Sequence, residues 1–246
     1  MRINRYLASA GLGSRRACDE LVGSGRVFVN NVAATPGTQV APGDIVRVGR
    51  KVVKAQSHVY ILLNKPRDYI CTRSDELGRK TIFDLVPEKA GRLFHVGRLD
   101  RDSEGLIILT NDGDFAEALT HPSHQLDKEY EVTLSKAFDP AHATKLLRGM
   151  TLESGRGKMG SVRAVAPTRL KVVLRQGLKR QIREMLWKVG GYDVKKLVRV
   201  RIGDLIDPRL KTGFWRPLDS REVESLRGTA KPVKRIRTPA ARSPRP

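Results

Sequence analysis

His95-Val96-Gly97-Arg98-Leu99-Asp100-Arg101-Asp102-Ser103-Glu104-Gly105-Leu106, continued by Ile107-Ile108-Leu109, is the stretch on which the reading of this chain turns. Two glycines bound a loop in which Asp100 stands between Arg98 and Arg101, and the apolar run Leu106 to Leu109 reads as a buried strand. A carboxylate at the mouth of a buried strand is either a loop ion pair or a reactive group aimed at a polyanion. The rest of the chain bears on that choice.

Lys and Arg number 47 against 26 Asp and Glu, a formal net charge of +21 over 246 residues. Such an excess weakens a compact state by self-repulsion, and attraction to a phosphate backbone is the economical reason to keep it. A basic tail explains only part of the surplus. Cys18 and Cys71 stand far apart, which suits a reducing compartment and not a disulfide framework. His121 and His124 have the spacing of a helical ligand pair, but Pro122 lies between them and the cysteine and acidic partners of a metal site are missing, so no metal is expected. No apolar run approaches the ~20 residues of a membrane span, and Tyr6 to Leu12 is too short for a signal peptide's apolar core. A soluble, cytoplasmic protein without membrane association is expected.

Residues 1–50 read as a compact basic module. Ile3 to Ala10 is helix-like, Gly11-Leu12-Gly13 breaks it, and Ser14 is placed to cap a second helix through Val22. Val27 to Val29 is a strand, Asn30-Asn31 a turn, and Pro42-Gly43-Asp44 a second turn before Ile45 to Val48. Residues 51–58 read as a linker and 59–227 as one larger domain. In it, strands are predicted at Tyr60–Leu63, Leu106–Leu109, Tyr130–Leu134, Leu170–Leu174 and Val194–Ile202. Helices are predicted at Ile82–Val86, Asp114–Leu119, Asp139–Leu147 and Lys179–Val189, with a last one after Asp219. That order implies an α+β fold with a mixed, largely antiparallel sheet flanked by helices. From Gly228 the chain has no acid, and residues 228–246 read as a disordered basic tail.

Arg2, Arg5, Arg15 and Arg16 fall on or near the first two helices, where they form either a solvated face or a face for a phosphate backbone. The words Arg2 to Ala8, Gly11 to Arg15, Gly25 to Asn30 and Pro42-Gly43-Asp44 resemble, in order, the small alpha-L RNA-binding domain of a small-subunit ribosomal protein. The resemblance implies RNA binding by those four arginines.

Three separated segments supply candidate chemistry: Asp100, Tyr130 in Lys128-Glu129-Tyr130, and Arg183 on the predicted helix, flanking the apolar stripe Ile182, Met185, Leu186 and Val189. Taken singly, each is more often structural than functional. With Leu63-Asn64-Lys65-Pro66, Leu109 to Gly113, Gln181-Ile182-Arg183 and Gly213 to Leu218, they resemble the RsuA-type ribosomal RNA pseudouridine synthases over nearly the whole chain up to Arg227. Cys71-Thr72-Arg73 leans toward the branch that modifies large-subunit RNA. The resemblance implies a cofactor-free isomerase acting on ribosomal RNA or a pre-ribosomal particle, with a monomer as the default.

By the same resemblance Asp100 is the nucleophile, acting at the ribose C1′ or through a glycal. Arg183 would hold it ionised and Tyr130 would stack on the target base. Arg98 would fill the space of a flipped nucleotide or clamp a phosphate, Lys65 would join the RNA-binding cations, and Leu197 would pack beneath the site. Asp102, Glu104 and Asp112 read as turn-forming or capping acids. A non-catalytic RNA-binding ribosome-assembly factor would keep the basic surface and not need Asp100. A methyltransferase or a synthetase would need nucleotide-binding loops that are missing here.

Overall fold

The computed structural model describes residues 1–73, 75–121, 124 and 126–229. The chain divides into two compact units, Met1–Ala116 with Arg209–Leu218, and Glu117–Pro208 with the residues from Asp219.

The first unit opens with α1 (Ile3–Ser9) and α2 (Arg15–Gly23). The Ser14 hydroxyl accepts from the Ala17 amide at 3.1 Å, satisfying one of the orphan donors of the α2 N-terminus. Strands β1 (Val27–Val29), β2 (Val32–Ala33), β3 (Val46–Val48) and β4 (Lys51–Val53) form an antiparallel sheet in the order β2-β1-β3-β4. Asn30 and Asn31 both have positive φ, 48° and 70°, the backbone that a two-residue hairpin with native twist requires. Ile3, Leu7, Cys18, Val22, Val27 and Val46 are buried together as this module's own core. Its sheet extends past the expected limit: Lys51–Val53, expected as linker, pairs with Val46–Val48 because Gly49-Arg50 closes another tight hairpin.

Downstream, β5 (Tyr60–Lys65), β6 (Phe94–Val96) and β7 (Glu104–Thr110) form the second layer of this unit. β5 runs antiparallel to β7 from Tyr60 opposite Thr110 to Lys65 opposite Gly105, and β6 also pairs with β7. The strand Trp215–Pro217 returns from far downstream to pair with β5. Ile61, Leu63, Ile82, Leu93, Ile107 and Leu109 form the core beneath them. The helix expected at 82–86 is a 3₁₀ turn, Ile82–Leu85, held by a capping box between Thr81 and Asp84.

Helix α3 (Gly113–Thr120) carries the chain onward; the Asp112 carboxylate accepts from the amides of Asp114 and Phe115, both at 3.0 Å, and from the Tyr60 hydroxyl at 2.8 Å. The second unit then places β8 (Lys128–Leu134), α4 (His142–Arg148), the hairpin β9–β10 (Met150–Leu152 and Gly155–Gly157), β11 (Ser161–Ala166) and β12 (Arg169–Leu174). After these come α5 (Gln181–Gly190), β13 (Val194–Ile202), β14 (Leu205–Ile206) and α6 (Ser220–Thr229).

Strand β8 lies between β12 and β13, antiparallel to both, with β11 outside β12. α6 begins with the expected capping box: the Asp219 amide donates to Glu222 at 3.0 Å and the Glu222 amide to Asp219 at 2.8 Å. It runs two residues into the stretch expected as tail, and residues 230–246 lie outside the described residues. The fold is α+β, with antiparallel ladders and flanking helices.

Candidate active site

Asp100 sits in the first unit, in the loop between β6 and β7. Gly97 (φ +72°) and Gly105 (φ +109°) turn the chain at its two ends in conformations closed to L side chains. Leu99 and Ser103 are buried within it, Arg98 is exposed, and Asp100 is half-buried.

The loop is held from beneath by Lys65. Its side chain is 0 % exposed, and its ammonium donates to the carbonyls of Ser103 (2.7 Å), Pro66 (3.0 Å), Asp100 (3.1 Å) and Arg101 (3.4 Å). Burial pulls the Lys65 pKa below its usual value, opposed by the negative potential of Cys71, Asp102, Asp100 and Asp68. This corrects the assignment of Lys65 to RNA: a wholly buried ammonium committed to four carbonyls cannot reach a phosphate. The loop is further tied by the Asp68 amide to Arg101 O (2.8 Å), the Arg101 guanidinium to Asp68 (3.1 Å) and the Leu99 amide to Cys71 Sγ (3.4 Å).

Tyr130 and Arg183 lie in the second unit, and strand β13 touches both. Tyr130, 7 % exposed on β8, stands opposite Arg199 of β13. Arg183 on α5 donates from Nη1 to the carbonyl of Val194, the first residue of β13, at 2.6 Å. The stripe Ile182, Met185, Leu186 and Val189 is buried as the periodicity predicts, which turns Arg183 to the half-buried flank. Leu197 is 6 % exposed opposite Val132.

Two charged residues near Tyr130 were given no role of their own by the sequence. Arg199 is 2 % exposed, and Lys128 shares the Tyr130 face of β8 by strand alternation. Burial, assisted by the positive Arg199, lowers the Lys128 pKa from 10.5 to about 8, with Asp127 opposing. The available signal was a lysine in register with Tyr130 and Val132 on an inward face. On the far face, Glu129 takes Arg201 at 3.1 Å and Lys171 at 3.7 Å.

In the basic module Arg2, Arg15 and Arg16 are exposed, while Arg5 is half-buried and paired with Asp114. Among the described residues no group of three or more His, Cys, Asp and Glu could hold a metal ion, and no helix is long and apolar enough to cross a membrane. His124 points Nδ1 at the Ala118 carbonyl, 2.5 Å away, which commits that nitrogen as a donor.

Residues 59–188 match the family described as RNA pseudouridylate synthase, and residues 1–46 match the S4 domain. The chain belongs to the RNA pseudouridylate synthase family and is an enzyme of that class. An uncharacterized RNA pseudouridine synthase of Aquifex aeolicus is 39 % identical over 234 residues, covering 92 % of this chain and 93 % of the relative. The dual-specificity RNA pseudouridine synthase RluF of Escherichia coli is 38 % identical over 229 residues, covering 92 % and 78 %. A crystal structure of a pseudouridylate synthase superposes with a TM-score of 0.68 at 26 % identity, covering 92 % and 99 %.

Lys65→Met removes the ammonium and leaves four carbonyls without their donor; we expect a loss of at least ~3 kcal/mol of stability by urea denaturation, with Lys65→Arg failing to restore it. Lys128 supplies a pH test. Its folded pKa of about 8 lies below the unfolded value, so between about pH 8 and 10.5 the unfolded chain binds a proton that the folded chain does not. The stability of the wild type relative to Lys128→Met therefore rises across that window and is flat below it, read as the difference between the two urea midpoints.

Proposed function

We propose that the chain isomerises a specific uridine of ribosomal RNA to pseudouridine as an RsuA-type enzyme, on the branch that modifies large-subunit (23S) RNA. The observation that carries this reading is the Asp100 loop. Lys65 fixes its main chain through carbonyls and takes no carboxylate oxygen of Asp100 among its four bonds. In this reading Asp100 is the nucleophile, acting at C1′ or through a glycal. Arg183 keeps it ionised, and Tyr130 stacks on the base and takes the C5 proton after the base rotates.

The step balances without a co-reactant: the N1–C1′ bond breaks, the C5–C1′ bond forms, C5 loses a proton and N1 gains one. The target nucleotide must leave its stack, which costs a few kcal/mol and least in a loop or bulge, while stacking on an aromatic side chain returns ~1–3 kcal/mol. A structured RNA loop, free or in an assembling particle, is the substrate that fits, and Arg98 holds the gap or a flanking phosphate.

The N-terminal module through Val53 is proposed as the RNA anchor, joined through residues 54–58 to a catalytic domain that runs to the end of α6, with the basic tail beyond it adding non-specific attraction. The charge on α2 supports this. Arg15 and Arg16 occupy its first turn, where the helix dipole disfavours cations, so a bound phosphate is what offsets their presence there. The protein is proposed to act as a cytoplasmic monomer.

Tritium release from C5 of labelled uridine in ribosomal RNA tests the chemistry: wild type releases label, and Asp100→Asn loses at least ~1000-fold in rate while RNA binding survives. Equal release by both would exclude Asp100 as nucleophile. Replacing Arg2, Arg15 and Arg16 by Ala lowers the slope of log affinity against log salt by ~0.7–0.9 for each phosphate no longer neutralised, measured by RNA titration. An unchanged slope would remove the module from RNA binding.

A further inference from the structure

Helix α5 turns a second face outward that begins at the candidate catalytic Arg183 and continues beyond it. Arg183, Glu184 and Trp187 lie three and four residues apart on it, and Trp187 is 60 % exposed although the opposite stripe of the helix is core. This face, the β9–β10 hairpin and the turn at Tyr192 to Val194 wall a cleft of about 370 Å³, within the range of small-ligand sites.

The walls are fixed. Glu184 accepts from the Glu153 amide at 3.0 Å and from Lys188 at 2.8 Å, and Lys188 also donates to Thr151 O at 3.1 Å, pinning the hairpin to the helix. Lys188 beside Glu184 holds that carboxyl below its ordinary pKa, so it stays an acceptor strut. On the other side buried Tyr192 takes the Asp139 amide at 3.0 Å and meets His142 Nδ1 at 2.8 Å.

The lining has a mixed chemistry that narrows the occupant. Lys179 and Arg180 are exposed cations, and Glu153 and Asp193 are exposed carboxylates. Carboxylates repel a phosphate and the two carbonyls of uracil, but they accept hydrogen bonds from amino groups. Guanine presents two adjacent donors, N1–H and N2–H, matching the two oxygens of one carboxylate; adenine presents its amino group beside an acceptor nitrogen. An exposed indole is a stacking platform for a base taken out of its helix.

We propose that this cleft binds an unpaired guanine of the substrate RNA, distinct from the reacting uridine, with its ring stacked on Trp187, its Watson–Crick edge on Asp193 or Glu153, and its phosphate on Lys179 and Arg180. The proposal rests on the reading of this chain as an RNA-uridine isomerase and makes the cleft a determinant of which uridine is reached.

The test uses the full chain and the hexaribonucleotides UUGUUU, UUAUUU and UUUUUU, followed by tryptophan fluorescence. UUGUUU should quench the Trp187 signal and bind about tenfold more tightly than UUUUUU. Trp187→Ala, at an exposed position, should lose the quench and about tenfold in affinity, with Trp187→Phe recovering most of the affinity. Asp193→Asn combined with Glu153→Gln should erase the preference for UUGUUU while the quench persists. Equal quenching by all three probes overturns the guanine assignment, and quenching by none overturns the site.

Tritium release separates this proposal from the one beneath it. If wild type releases label, Trp187→Ala should raise KM about tenfold with kcat held, and an unchanged KM overturns the subsite while leaving the isomerase intact. If wild type releases none but UUGUUU still quenches Trp187, the isomerase reading fails and the subsite stands.

Discussion

A buried ammonium is costly to take out of water, and the first unit is arranged around one that it cannot do without. Lys65 ends β5 opposite Gly105, and its charge is met by four main-chain carbonyls, three from the loop that β7 follows and one from the neighbouring Pro66. Carbonyl dipoles are neutral, so the compensation of charge comes from Cys71, Asp102, Asp100 and Asp68, whose potential opposes the desolvation. The loop is thus fixed largely through main-chain groups that every residue owns, with the Arg101–Asp68 pair added at its edge. A salt bridge from Lys65 to the Asp100 carboxylate would have held the same loop while neutralising the group proposed as the nucleophile. The difference between those two solutions is a difference between a scaffold and a site.

The charge surplus has a second use that does not depend on the loop. The N-terminal module carries its own buried core and its own four-stranded sheet, so its arginines ride on a body that needs no support from the uridine chemistry. Phosphate contacts set affinity and register without reading sequence, whereas a carboxylate and a stacked base act on one nucleotide. The proposed assignment, with the first on Arg2, Arg15 and Arg16 and the second on Asp100 and Tyr130, separates holding an RNA from choosing where to act on it.

Much of this was legible from local pattern, because local pattern is where its physics lies. The Ser14 cap, the Asn30-Asn31 hairpin, the Asp219–Glu222 capping box and the buried stripe of α5 are each decided by residues within one or two turns of one another. The assignment of Lys65 failed for the opposite reason. A lysine beside a proline reads as exposed, and what buries it is a loop 35 to 38 residues away, brought in by strand pairing that no local period encodes. The β9–β10 hairpin and β11 were missed because they are short, glycine-flanked and mostly exposed, so they lack the alternation that marks a half-buried strand. Arg199 was invisible for a related cause: charged residues alternate along β13, and only the three-dimensional pairing with Tyr130 says that this one faces inward.

Helix α5 shows how much a ten-residue segment can be asked to do. Its apolar stripe is buried and so cannot change without a cavity, which fixes the rotation of the helix about its axis. That rotation sets where Arg183 leaves the flank, and along the same face of the helix it also sets Glu184 and Trp187. The indole's exposure is therefore not a failure of packing that a small twist of the helix could relieve, since any twist would expose Met185 or Leu186, both now at 0 %. A large aromatic held in solvent by the same constraint that positions a candidate catalytic arginine is exposed because of the fold, and a cost that is retained in this way calls for a partner. The partner that the neighbouring carboxylates and cations admit is a base with its phosphate attached, which couples the choice of nucleotide to the element that carries Arg183.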